Sequence, residues 1–197
     1  MIKCEHVSLS FQDKRVFDDL NFEIESGANA SVSGESGKGK SSILKLLQGY
    51  ILPDTGTISI NGAKLSARSI NQIRNSIAWI PQNINLPVHT GIKLMHLLGI
   101  SERKESVYSF LDKLGLEEEF LHADFQKISG GQKQRIVISI CLSLDREIIL
   151  MDEPTSSLDD ASIQLLINAV KTLSNKTILS ASHNHAWIKN SNQVIEL

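Results

Sequence analysis

Apolar and polar positions change their period three times along this chain of 197 residues. From Ile2 to Val7 and from Phe17 to Ile24 apolar residues alternate or cluster as strands do, separated by the polar turn Gln12-Asp13-Lys14. Ala28 to Ser33 is a short run of small residues that reads as a strand leading into a glycine-rich loop. Behind that loop Ile43, Leu44, Leu46 and Leu47 share one face of a helix. Gly56 to Gly62 reads as a strand and a turn, and Ser76 to Ile80 as a strand closed by Pro81. Between about Asn83 and Lys127 the pattern becomes helical, with Val107, Phe110, Leu111 and Leu114 at helical spacing, which predicts a small helical subdomain.

The last third alternates again. It predicts a helix over Gln132 to Leu144, a strand over Glu147 to Met151 and a helix over Asp160 to Leu173. A strand over Thr177 to Ala181, a short helix and a final strand over Gln193 to Glu196 follow. Strands alternating with helices predict an α/β fold whose mostly parallel sheet is covered on both faces. One domain over residues 1–197 is expected, with its core in 1–82 and 129–197 and the helical insert over about 83–128. With the final strand so close to Leu197, no appended regulatory domain is expected.

Composition narrows the class without deciding it. With 41% hydrophobic and 21% charged residues the chain has the makeup of a globular domain. Its formal net charge of -2 gives no electrostatic reason for nucleic acid as a standing partner. Cys4 and Cys141 make no disulfide framework and have no metal-ligand spacing, in keeping with a reducing cytosol. The longest apolar run, Ile136 to Leu142, is broken by Ser139 and falls well short of the eighteen or so residues that span a bilayer. The first residues show no signal-peptide core. A soluble chain is expected, with any membrane role supplied by a partner.

Three segments carry chemistry. Gly34-Glu35-Ser36-Gly37-Lys38-Gly39-Lys40-Ser41 matches the phosphate-loop pattern G-x-x-x-x-G-K-[ST], after a predicted strand and before a predicted helix. Glycines let the backbone aim successive N–H groups inward, and the helix N-terminus adds a positive dipole end. Lys40 would reach the β- and γ-phosphates and Ser41 would ligate Mg²⁺. The bland alternative, a glycine turn with a chance lysine, lacks a reason for the strand–loop–helix order.

Ile148 to Met151 is a continuous apolar strand that ends in Asp152 and Glu153. The carboxyl end of such a buried strand is where ligands sit in open α/β sheets. Asp152 would hold the Mg²⁺ hydration shell, and Glu153 would act as general base on the water attacking the γ-phosphate. An acidic strand end facing solvent is the plain alternative. Finally, Ser129-Gly130-Gly131-Gln132 opens the helix that follows and offers exposed N–H groups and a hydroxyl to an anion, or serves only as a helix cap.

The order and spacing of these segments resemble the ATP-binding cassette (ABC) ATPases over nearly the whole chain, from about Ile2 to Leu197. Pro154-Thr155-Ser156-Ser157-Leu158-Asp159 looks like the catalytic segment and D-loop of that family, and Lys133-Gln134-Arg135 continues its signature. The resemblance implies that Ser129 to Gln132 close on ATP held by a second copy, so that two nucleotides lie between two head-to-tail subunits. It also matches Gln82 to the Q-loop, where an amide reaches Mg²⁺ or the attacking water, and His183 to the switch histidine. Phe11 matches the aromatic that stacks on adenine, where tyrosine is usual, and Asp159 a contact to the opposite subunit.

Plainer roles stand beside these: a solvated glutamine, a core phenylalanine, an aspartate capping the next helix. His183 and His185 form an H-x-H pair, but no further ligand stands at metal spacing. His6, His89, His96 and His122 are scattered and read as surface or packing residues.

Several positions depart from the family pattern. Ser42 stands where threonine is usual, Ile128 where leucine is usual, and Lys38 is uncommon within the loop. Ile140 replaces an arginine, which puts that arginine's helix-surface contact in doubt.

The resemblance implies an Mg-ATP hydrolase, with ATP and Mg²⁺ as cofactors, that forms a homodimer. Its other expected partner is a separate transmembrane permease of an ABC transporter. It would then lie in the cytoplasm, peripheral at the inner face of the membrane. A soluble mechanical ATPase acting on nucleic acid or the ribosome is the alternative. The insert lacks the coiled coils or cysteine clusters of such relatives, and this chain has one cassette. A P-loop kinase is the third reading, against which the signature and Glu153 both argue.

Overall fold

The computed structural model describes residues 1–12 and 14–197, so Asp13 of the expected turn lies outside the described residues. The first two strands, β1 (Ile2–Phe11) and β2 (Lys14–Ile24), pair antiparallel. β3 (Asn29–Ser33) leads through the glycine loop into α1 (Lys40–Leu47), whose buried Ile43, Leu44, Leu46 and Leu47 form the expected face. β4 (Thr55–Ile60) and β5 (Ala63–Lys64) follow, then α2 (Ile70–Asn75) and β6 (Ile77–Ile80). α3 (Gly91–Leu97), α4 (Lys104–Lys113) and two 3₁₀ turns fill the stretch before α5 (Gly130–Leu142). β7 (Ile148–Asp152), α6 (Asp160–Lys171), β8 (Thr177–Ala181), α7 (His185–Lys189) and β9 (Gln193–Glu196) complete the chain.

Two sheets result. An antiparallel sheet runs β2-β1-β4-β5, and a parallel sheet runs β6-β7-β8-β3-β9. The strand β7 is buried at all five residues and β8 likewise, which is why their sequences read as continuous runs rather than alternations. Each fully buried Ile or Leu of β7 contributes roughly 1.5–3 kcal/mol of burial. One core fills the space between the parallel sheet, α4, α5 and α6, and a second lies between the two sheets around α1. No helix among the described residues is long and apolar enough to cross a membrane.

The parallel register positions the chemistry. Ala181 pairs with Val32 of β3 on one side and with Asp152 of β7 on the other. The carboxyl ends of three strands therefore finish level, and the glycine loop, the two carboxylates and His183 emerge together.

Two expectations need correction. Ile140 is fully buried in the core, so the position offers no helix surface on which an arginine's contact could be missed. The strand expected to stop at Val7 continues to Phe11. His6 sits at φ 53 and Asp19 at φ 55, and the β1–β2 register shifts between Cys4 and Val7, so a bulge interrupts the alternation. Gly56 packs against that bulge at φ +89, where an added Cβ would strike the carbonyl of His6 and come within 2.6 Å of the Glu5 carbonyl oxygen. Gly56→Ala is expected to lower unfolding stability by at least about 2 kcal/mol, measured by denaturant unfolding, because neither backbone can give way.

Candidate nucleotide site

A cleft of about 270 Å³ opens over the glycine loop and is lined by Ser36, Gly37, Gly39, Lys40, Ser41, Ser42, Gln82 and Glu153. Gly39 caps α1 at φ 96, a left-handed conformation, and an added Cβ there would collide with Val16 and Phe17. The loop therefore turns tightly at the edge of the cleft. Lys40 is buried, with its Nζ donating to the carbonyl oxygens of Gly34 at 2.8 Å and Glu35 at 3.1 Å. Those bonds hold the ammonium across its own loop.

The Ser41 hydroxyl donates to Asp152 Oδ1 at 2.8 Å, joining α1 to the end of β7. Burial pushes the Asp152 carboxyl above its ordinary range; the Ser41 bond pulls the other way, and the neighbouring charge of Glu153 pushes up again. A hydroxyl and a carboxylate side by side are hard oxygen donors of the kind Mg²⁺ takes, so these residues fit the ion.

Glu153 is buried, and its backbone adopts φ 48, a left-handed geometry that non-glycine residues reach at a cost. Its N–H donates to the Ala181 carbonyl at 2.9 Å. His183 Nδ1 lies 2.9 Å from Glu153 Oε2, yet that buried oxygen accepts no hydrogen bond. The distance is that of an ion-pair contact when the imidazole is protonated. A buried carboxylate oxygen that accepts no hydrogen bond, set beside the glycine loop, can accept a proton from a molecule in the cleft.

The remaining expected residues fall around this cleft rather than in it. Phe11 ends β1 and is 48% exposed, so it is not a core residue. Lys38 lines a separate recess with Ser33, Gly34, Glu35 and Glu196. Asp159 caps α6, its carboxylate accepting from Ser162 N–H at 2.8 Å, and these bonds from Ser162 hold its carboxyl below the usual carboxylate range. His185 opens α7 with its side chain exposed.

Ser129 and Gly130 are exposed and line no part of the cleft. Ser129 is a reciprocal cap: its Oγ accepts from Gln132 N–H at 3.1 Å, and Gln132 Oε1 accepts from Ser129 N–H at 2.9 Å. Helix-cap and anion-site readings of this segment are thus compatible. Gly131 lies against the loop after β7, where a Cβ would come within 2.6 Å of the Ser157 carbonyl oxygen.

A family model described as "ABC transporter" matches residues 17–156, and the chain belongs to that family. It is 34% identical over 196 residues to the energy-coupling factor transporter ATP-binding protein EcfA1 of Mycoplasmopsis pulmonis (strain UAB CTIP). That match covers 93% of this chain and 74% of the relative. It is 30% identical over 201 residues to the glutamine transport ATP-binding protein GlnQ of Bacillus subtilis (strain 168), covering 96% and 83%. Among solved structures it is similar to the dimeric cassette MJ0796, with a TM-score of 0.88 at 27% identity, covering 100% of this chain and 94% of that one. A post-hydrolysis dimer of the same cassette, bound to ADP and Pi, gives 0.87 at 26% identity, with the same coverage of both chains. The chain is thus an ABC ATPase, with ATP and Mg²⁺ as its cofactors.

Gly131→Ala is expected to displace the loop after β7, because the new methyl meets a backbone oxygen. We expect turnover to fall by about ten-fold or more while α5 keeps its helicity, read from steady-state ATPase assays beside circular dichroism.

Proposed function

We propose that this chain is the ATP-hydrolysing subunit of an ABC transporter, closing as a homodimer around two ATP molecules and driving a separate transmembrane permease. The observation that carries this reading is a separation within one chain. The cleft over the glycine loop holds Lys40, Ser41, Gln82 and Glu153, whereas the signature residues Ser129 and Gly130 are exposed and line no part of that cleft in the same copy. A second copy related head to tail supplies them. The dimeric state described for MJ0796 supports the arrangement.

Each residue has a task in that pocket. Phe11 stacks its ring on adenine. The loop from Gly34 to Ser42 cradles the phosphates with its N–H groups, and Lys40 swings from its loop carbonyls to the β- and γ-phosphates. Ser41, Gln82 and Asp152 hold Mg²⁺, which when bound neutralises charge on the transferring phosphoryl group. Glu153 accepts the proton of the attacking water. His183 bonds to the γ-phosphate and steadies Glu153, while Ser129, Gly130, Gly131, Gln132 and Asp159 of one copy close the other copy's pocket. Lys38, in its separate recess, adds positive charge to the outer side of the loop.

The subunit works in the cytoplasm, at the inner face of the membrane, through its permease. The transport roles in the names of EcfA1 and GlnQ support that partner class, and the helical insert over about 83–128 is the part offered to it. Two tests follow. Glu153→Gln should reduce ATP turnover by about a thousand-fold, since general-base chemistry and water positioning are lost together; an unchanged rate by phosphate-release assay sinks the base assignment. Pull-down of the tagged chain from detergent-solubilised membranes should recover a multispanning protein. Recovery of soluble partners alone would contradict the transport role.

A further inference from the structure

Gln134 is 2% exposed, an amide within a helix whose other buried residues are mostly apolar. Burying an amide costs free energy unless both of its ends find partners. Here both ends meet the backbone of one loop. Gln134 Nε2 donates to the Glu153 carbonyl oxygen at 3.4 Å, and Gln134 Oε1 accepts from Ser157 N–H at 3.2 Å. The two contacts bracket Pro154-Thr155-Ser156, so a single side chain spans the turn that follows the catalytic strand.

That turn needs such support. Glu153 sits in the left-handed region at φ 48, a conformation disfavoured for a residue with a Cβ. Strained residues of this kind persist only where their surroundings over-determine them. From the β8 side, Ala181 accepts the Glu153 N–H; from within the turn, Ser156 N–H donates to the Glu153 carbonyl at 3.2 Å. The α5 side is held by Gln134 alone among the side-chain bonds of the described residues.

We propose that Gln134 is a positioning residue for hydrolysis: its amide fixes the peptide of Glu153, and so aims the carboxylate, while tying that peptide to the helix that begins at Ser129. The inference rests on the general-base reading of Glu153. It adds that α5 and the catalytic turn move as one body, so that the helix start lent to one pocket and the carboxylate serving the other are joined through a single amide. Gly131, which packs directly on the Ser157 carbonyl, reinforces the same joint.

The test uses Gln134→Met, which keeps volume and removes both bonds, and Gln134→Glu. The second retains an acceptor for Ser157 N–H but sets a carboxylate oxygen against the Glu153 carbonyl. In steady-state ATPase assays each should lower kcat by about ten-fold or more with KM for ATP within about two-fold, a pattern expected of an interaction that serves the transition state. The decisive arm is a double-mutant cycle. On the Glu153→Gln background, Gln134→Met should cost no further residual turnover, because Gln134 acts through the group already removed. Losses that multiply in the double variant, full turnover in either single variant, or loss of cooperative unfolding in both would overturn the proposal. Full turnover in Glu153→Gln itself would instead remove the general-base reading beneath it.

Discussion

Ala181 is the residue through which the glycine loop and the carboxylates at the end of β7 are set against each other. It pairs in register with Val32, which precedes the glycine loop, and with Asp152, which ends β7. Its carbonyl also accepts the Glu153 N–H. A parallel sheet gives evenly spaced, slanted bonds, so a shift of one residue in this register would turn every side chain of β7 over. Because β7 and β8 are buried at every position, such a shift is resisted by packing from both faces. The bond between Ser41 and Asp152 is possible only because that register holds.

Around this fixed frame the site balances opposing costs. Asp152 is buried enough for its carboxyl to be pushed upward, and the Ser41 hydroxyl offsets part of that. Lys40 is buried but bonded to two loop carbonyls. Glu153 keeps both a strained backbone and a buried oxygen that accepts no hydrogen bond. Nearby β7 and α1 provide the apolar burial against which this buried charge and backbone strain are tolerated.

Much of this was legible in the residues themselves. The continuous apolar run of β7 and the i, i+3, i+4 face of α1 announce their elements because burial on two faces, or on one, leaves a distinct period. The glycine loop is legible because tight turns and close approach to an anion restrict residue choice. The helix α2 was not, since only Ile73 of its six residues is buried and no period can establish itself. The far half of β1 was hidden by a bulge at His6, a residue that carries no strong signal for left-handed backbone. The same holds for Glu153: its φ is imposed by Ala181 and the turn after it. Nor does the helical pattern of α5 reveal that Gln134 reaches two peptides some twenty residues away, as that contact exists only once the helix lies across the end of β7.

We propose that one chain holds half of each working pocket. The most direct test is the mass of the Glu153→Gln protein in saturating Mg-ATP, followed by sedimentation velocity, with and without a bulky substitution at Ser129. A dimer is expected that forms only with nucleotide and is lost when Ser129 is blocked. A protein that stays monomeric with ATP bound, or a dimer indifferent to Ser129, would contradict it.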